Sequence, residues 1–294
     1  MRQTSRFILE PVRIDVEKIL AAKSPAAARW LPRFVVNWIK KTIHQDEINT
    51  ALRDSQGIKD LDFAAWSVNF LQAKVDSSGR ENIPASGGVI VASNHPLGGL
   101  DGVALMQEAG KARPDVRFVV NDILTELPNF DQITVGVNKH GANPRKGLEA
   151  IEAAYSGGYA VLIFPAGLCS RKQDNGDIRD LEWQKSFVAR AQKYQLPIVP
   201  TFIEGKNSSW FYNLARWRKK LGININIEMF YLPDEMFSQR GQRIHIHFGQ
   251  PIPPQVFDKS RRPEQWAALL REFVYYFPQH PETTFAEFIQ SKNV

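Results

Sequence analysis

The residues best suited to chemistry are His95 and Asp101, set in the stretch Val89–Val103, VIVASNHPLGGLDGV. An imidazole takes up a proton near neutral pH, and a nearby carboxylate can orient it and stabilise the cation it becomes. The pair therefore has the ingredients of a general base and its orienter. The same stretch also reads as a capped turn, with Asn94 and Asp101 as turn and capping residues, and taken alone it supports both readings. Val89–Ala92 are small and apolar and predict a buried strand. Pro96, Gly98 and Gly99 end it in a tight turn. From Leu100 the pattern is helical, with Gly110 as the stop. His95 is thus expected at the carboxyl end of a strand, the edge where open α/β sheets bind ligands.

Three further loops follow predicted strands. Tyr159–Lys172, YAVLIFPAGLCSRK, runs from a strand into Phe164, Pro165 and Gly167 and then into Ser170, Arg171 and Lys172. Amides at such a turn can hold an oxyanion or a phosphate, although an ordinary loop with solvated cations reads the same way. The strand Ile133–Val137 leads into a loop carrying Lys139, His140, Arg145 and Lys146. The strand Ile198–Ile203 contains the Val199-Pro200 pair, in which Pro200 cannot donate to a sheet ladder.

Stepwise alternation of strands and helices from residue 75 predicts an α/β domain with a mostly parallel central sheet flanked by helices. Val116–Val120, Ile223–Tyr231 and Arg243–Phe248 are its other expected strands. Gly147–Tyr155, Trp183–Tyr194 and the tail from Pro263 are expected helices. Residues 1–74 carry no strong strand signal and are expected to form an N-terminal helical, membrane-associating segment. Within it Arg29–His44 places Trp30, Phe34, Trp38 and their neighbours at helical spacing among cations, a pattern that suits either an interfacial helix or one packed on a protein core.

The chain has 294 residues, 43% hydrophobic and 23% charged, so a packed core is expected and disorder is not. No window of about 18 uncharged apolar residues predicts a membrane span. Charges recur within the first twenty residues, so no secretion signal is expected. The single cysteine, Cys169, excludes an internal disulfide framework and a cysteine-based zinc site. It could be read as a nucleophile, but no partner is placed near it in sequence. His245 and His247 alternate on one strand face, and a polar face explains them without a metal. The net charge of +6 suits an anionic surface, a phospholipid leaflet or nucleic acid.

In chain order these blocks resemble the lysophospholipid/glycerolipid acyltransferase superfamily, whose pattern is N-H-x4-D, a Gly/Arg block, F-P-E-G-T-R-S and a V-P block. The matching positions are Asn94, His95 and Asp101; Gly136 with Lys139 or Arg145; Phe164, Pro165 and Gly167; and Val199 with Pro200. NHPLGGLDG, NSSWFYNLARWRKKLGI and EMFYLPDEMF further resemble the hemolysin-related, ornithine-lipid-type bacterial branch. The resemblance implies an O-acyltransferase with His95 as base and Asp101 as its orienter. It implies substrate contacts at Asn94, Lys139, Arg145, Phe164, Pro165, Gly167 and Arg171. It also implies a lysolipid acceptor and acyl-CoA or acyl-ACP as co-substrate, with no resident cofactor or metal. The expected location is the cytoplasmic face of the inner membrane, peripheral or monotopic, on an anionic surface; no nucleic-acid partner is expected.

Two departures from the pattern matter. Five residues, not four, separate His95 from Asp101. Ala166 stands for the family's Glu, Leu168-Cys169 for its Thr-Arg, and Arg171 lies two positions beyond the expected Arg. That block holds the acceptor's phosphate in phosphate-acceptor members, so its alteration makes a lyso-aminolipid or another lysophospholipid as plausible as lysophosphatidic acid. Asn207–Leu221 concentrates aromatic and basic residues in a manner suited to lipid headgroups or to single-stranded nucleic acid. The rival classes are an N-acyltransferase acting on an amine head group and a non-catalytic lipid- or nucleic-acid-binding protein on the same scaffold.

Overall fold

The structure is a computed structural model and describes residues 13–23, 29–120, 127–136, 144–224 and 226–292. Contacts divide the chain into two compact units, one ending at Ile58 and one starting at Lys59. The division expected from sequence, at 74/75, differs from this by the helix α4 (Asp60–Phe70), which packs on α5 (Leu100–Ala112) of the sheet-bearing unit. The approach is close because Gly110 lacks a side chain: a Cβ there would lie 2.8 Å from Leu61 Cδ2. The first unit contains α1 (Val16–Lys23), α2 (Arg33–Thr42) and α3 (Gln45–Asp54), and side-chain amides of α3 tie it to the start of α1. Gln45 Oε1 accepts from the Val16 N–H at 2.9 Å, and the Asn49 carboxamide makes a two-way pair with the Ile14 backbone. On and beside α2, Trp30, Phe34 and Trp38 are exposed.

The second unit is built on a seven-stranded sheet. Its strands are β1 (Lys74–Ser78), β2 (Val89–Ser93), β3 (Val116–Val119), β4 (Thr134–Val135), β5 (Ala160–Ile163), β8 (Ile198–Ile203) and β9 (Arg243–Phe248). The order is β1-β9-β8-β2-β5-β3-β4, parallel except where β8 meets β9. The mostly parallel sheet expected from sequence is therefore present. β2, flanked by β5 and β8, is buried at all five positions, as a central strand covered on both faces must be. The α6 (Pro144–Ser156), α7 (Ser186–Tyr194), α10 (Pro263–Tyr276) and α11 (Phe285–Lys292) helices close the sheet, and α7, α10 and α11 share a core with Ile90, Val161 and Ile163.

Three local readings are corrected. Ile223–Tyr231 is not a strand: Ile227–Tyr231 forms a 3₁₀ turn that runs into α9 (Leu232–Ser238). Among its described residues the alternation does not mark a buried face, since Ile223 and Ile227 are exposed, Met229 is only partly buried and the buried residue is Glu228. β1, Lys-Val-Asp-Ser-Ser, carries no apolar strand signal because it is a half-exposed edge strand, paired in register with β9. The structure adds a two-stranded hairpin of β6 (Arg171–Lys172) and β7 (Ile178–Arg179), whose signal in sequence is Asn175-Gly176 between them.

Candidate active site

The site begins where β2 ends. The Asn94 carboxamide accepts from the Ile203 N–H at 2.7 Å and donates to the Ile203 carbonyl at 2.9 Å. Asn94 thereby extends the pairing of β2 with β8 as a side-chain rung, with its oxygen and one amide hydrogen engaged there. This lock fixes where the next residue, His95, leaves the sheet.

The additional residue between His95 and Asp101 is taken up in the turn. Gly98 adopts φ +83°, a backbone conformation that side-chain-bearing residues rarely hold, and a Cβ there would lie 2.6 Å from Leu232 Cδ2. α5 starts immediately afterwards, with Asp101 in its first turn. Asp101 Oδ2 accepts from His95 Nδ1 at 2.9 Å, from the Leu97 N–H at 2.8 Å and from the Gly98 N–H at 3.2 Å. Oδ1 accepts from the Gly102 N–H at 2.9 Å. Three amide donors and the positive end of a helix hold this fully buried carboxylate as an anion.

The two groups shift each other. Burial alone would push the Asp101 carboxyl up, but the charge and hydrogen bond of His95, with the Leu97 and Gly98 amides, bring it below its ordinary value. Burial pulls His95 down, and the charge and hydrogen bond of Asp101 outweigh it, with a contribution from Asp180, so His95 titrates above 6.5. The bond to Asp101 places a proton on Nδ1 and leaves Nε2 as the basic atom. The Phe164 ring stacks on the imidazole at 4.0 Å and 14°, and Phe118 meets Phe164 edge-on at 5.4 Å. The ring is thus held from one face by the residue that follows β5.

A second buried carboxylate, missed in the sequence, lies under the His95 main chain. Asp180 Oδ1 accepts from the His95 N–H at 3.1 Å and from Ser170 Oγ at 2.6 Å, and Oδ2 accepts from Trp183 Nε1 at 2.9 Å. Tyr275 Oη accepts from the Asp180 N–H at 2.9 Å. The Ser170 N–H in turn donates to the His95 carbonyl at 2.7 Å. Asp180 and Ser170 therefore clamp both polar groups of the His95 peptide. Burial pushes the Asp180 carboxyl up, against the pull of its hydrogen bonds with Ser170 and Trp183. An Asp following a hairpin offers no sequence signal for this role.

The other expected contacts are distributed differently. The Gly167 N–H donates to the Phe164 carbonyl at 3.0 Å, and the Pro165 carbonyl accepts from the Gln184 N–H, so both are committed to the turn. Arg171 is buried. Its Nη1 donates to the Cys169 carbonyl at 2.6 Å, and its Nη2 reaches Glu228 Oε1 at 3.0 Å. Arg218 pairs with the other Glu228 oxygen at 2.9 Å. Arg171 thus holds its loop to a buried carboxylate. Arg145 forms an exposed pair with Glu149 one turn further along α6. Lys139 lies outside the described residues. Cys169 is buried, its thiol pushed up to about 11 mainly by that burial, which removes it as a nucleophile. His245 and His247 pair with Asp76 and Glu204.

A parallel-sheet edge that presents an imidazole–carboxylate pair, backed by an F-P-x-G turn, is the arrangement of a glycerolipid-type acyltransferase. A family model described as Acyltransferase matches residues 18–279, and the chain belongs to that family. It is 44% identical over 263 residues to a lyso-glycine lipid O-acyltransferase of Phocaeicola vulgatus, covering 89% of this chain and 94% of that protein. It is 45% identical to a lyso-glycine lipid O-acyltransferase of Bacteroides thetaiotaomicron, covering 89% and 96%. In fold it is similar to the crystal structure of the 1-acyl-sn-glycerophosphate acyltransferase PlsC of Thermotoga maritima, with a TM-score of 0.50, 15% identity, and 89% and 88% of the two chains covered. Among the described residues no helix is long and apolar enough to cross a membrane.

Proposed function

We propose that this acyltransferase moves an acyl chain from an acyl thioester, acyl-CoA or acyl-ACP, to the free hydroxyl of a lysolipid. The carrying observation is the His95 Nδ1–Asp101 bond at 2.9 Å, which leaves Nε2 basic at the sheet's carboxyl edge. In this reading Nε2 takes the acceptor's hydroxyl proton while the oxygen attacks the thioester carbonyl. The C–O bond forms, the tetrahedral intermediate collapses, and the C–S bond breaks. The thiolate leaves with the proton returned by His95. Asp101 stabilises the imidazolium in between, and no protein nucleophile is needed. Phe164 and Asp180 keep the ring and its peptide in place. The chemistry uses the thioester as co-substrate and calls for no resident cofactor or metal.

Two observations favour a lyso-glycine lipid as the acceptor over lysophosphatidic acid. The relatives at 44% and 45% identity carry that name, as O-acyltransferases. The nearest counterpart of the family's phosphate-binding arginine, Arg171, is already paired with Glu228. The proposed setting is the cytoplasmic face of the inner membrane, bound peripherally to an anionic leaflet, with no nucleic-acid partner. The test is purified His95→Asn against wild type, with acyl-CoA and acyl-ACP donors and a panel containing lyso-glycine lipid and lysophosphatidic acid. Loss of turnover by His95→Asn, with lyso-glycine lipid preferred by the wild type, is the expected result. Turnover near wild type in the folded variant would exclude His95 as the base.

A further inference from the structure

The helix α8 (Ser209–Lys220) has two apolar faces. Phe211, Tyr212 and Ala215 are buried, the first two against Cys169. Trp210 and Trp217, one heptad apart, face outward with their rings 6.1 Å apart, and Leu221 continues the stripe one turn later. Trp210, Trp217, Leu221, Ile223 and Ile227 are five of the seven exposed large hydrophobic residues described in the Lys59–Val294 unit; Leu221 is 74% exposed. A concentration of this kind on one helix and its following turn is not the scatter of single apolar residues that surfaces normally carry.

Along the chain, the charge through this stripe has one sign. No Asp or Glu stands between Glu204 and Glu228, while Lys206, Arg216, Arg218, Lys219 and Lys220 do. Arg218 is paired with Glu228, a carboxylate it shares with Arg171. Arg216, Lys219 and Lys220, with Lys172 from β6, form no side-chain ion pair among the described residues. A cleft of about 350 Å³ at the foot of the helix is rimmed by Leu168, Lys172, Asp174, Leu181, Arg216 and Lys219. Asp174 is its single carboxylate. Leu168 belongs to the loop whose Ser170 N–H holds the His95 carbonyl.

We propose that the outer face of α8 and the turn through Ile227 docks on an anionic lipid bilayer, with the tryptophans and Leu221 at headgroup depth and Lys172, Arg216, Lys219 and Lys220 on lipid phosphates. Indole rings rest at that depth because one end is apolar and the other wet, and long cationic side chains reach from it to the phosphates. The mixture of aliphatic side chains with cations separates this surface from a nucleic-acid groove, where Leu221, Ile223 and Ile227 would have no base to stack on. The inference rests on the lysolipid reading for its partner, because that acceptor resides in a membrane. It places the loop that backs His95 beside the leaflet, where a lysolipid needs to move only a short way to enter.

The experiment uses the full chain with one introduced thiol, Leu221→Cys, carrying an environment-sensitive nitrobenzoxadiazole label. Cys169 is buried and its thiol is pushed up to about 11, mainly by that burial, so it does not compete for the label. Leu148→Cys, half exposed on α6, is the control position. Vesicles of phosphatidylglycerol and phosphatidylcholine should shift the emission of the label at 221 to the blue and quench it with bromolipids, leaving the label at 148 unchanged. Lys219→Ala/Lys220→Ala should weaken vesicle binding on the order of tenfold, and salt should weaken it further. Vesicle pelleting with an unmoved label at 221 would overturn the proposal, as would no pelleting, or a shift produced by single-stranded DNA and not by vesicles. Because the label reports contact without turnover, failure of the acyl-transfer reading remains distinguishable from failure of this one.

Discussion

Asp101→Asn tests the proposed site most directly. Three donors, His95 Nδ1, Leu97 N–H and Gly98 N–H, converge on Oδ2, and the Gly102 N–H meets Oδ1. A carboxylate accepts from all four. A carboxamide has one oxygen, so its NH2 must face a donor whichever way it turns. If the oxygen stays with His95, Gly102 loses its acceptor; if it turns away, His95 loses its orienter. The charge that stabilises the imidazolium is lost either way. In triad-type sites this loss costs about 10⁴ in turnover, and each tenfold is about 1.4 kcal/mol, so a fall of about 10³–10⁴ in kcat/KM, about 4–5.5 kcal/mol, is expected. The pH profile adds a second readout. A base works when neutral, and His95 titrates above 6.5, so wild-type kcat/KM should rise with pH through a limb above 6.5. Without Asp101 burial is the dominant influence on His95 and favours the neutral form. The limb should therefore move to lower pH even as the maximum falls. The assay is steady-state acyl transfer across pH 5–9, with thermal melts to establish folding. A folded Asp101→Asn enzyme with kcat/KM within threefold of wild type and an unmoved limb would refute the reasoning.

Other expected outcomes follow from the same structure. Asp180→Asn should lower stability by about 1–3 kcal/mol and reduce kcat, because the His95 and Ser170 donors lose a charged acceptor; urea denaturation and acyl-transfer rates check it. Gly98→Ala should destabilise by more than about 1 kcal/mol and reduce turnover, since φ +83° and Leu232 both oppose a Cβ; melts and assays read both effects. Arg171→Ala should cost up to about 3–5 kcal/mol by stranding half of a buried Glu228 carboxylate, with any change in acceptor KM no larger than the loss of folded enzyme explains; denaturation compared with Michaelis curves separates the two. Glu152 is held at about 2 by Lys193, Tyr194 and Arg190, against about 4.5 unfolded, so its stabilisation is full above pH 4.5 and fades as pH falls toward 2. Glu152→Gln should therefore cost about 1 kcal/mol or less at pH 7, after solvent screening, and less at pH 3, as paired urea titrations would show.

The central strands β2, β5 and β8 and the helices over 144–156, 186–194 and 263–276 were legible in sequence because burial on two faces forces continuous apolar runs and helical packing forces a 3.6-residue period, whereas the edge strand β1 and the β6–β7 hairpin bury too little to leave such a pattern. His95, Asp101 and Phe164 were legible because a strand end and its glycine turn are local features of the chain. The additional residue between His95 and Asp101 could not be judged from spacing, since a distance of 2.9 Å depends on the conformation at Gly98 and on the start of α5. The fates of Asn94 and Arg171 were hidden for another reason: each is consumed by a partner distant in sequence, Ile203 and Glu228, and no local pattern announces such a partner. Asp180 was invisible until the hairpin and α10 brought it under the His95 peptide. The layered α/β frame and the side chains able to carry acyl transfer are written in local apolar patterns and strand-end turns. Which donors and acceptors of those side chains are already filled emerges only on folding, because their partners come from segments distant in the chain.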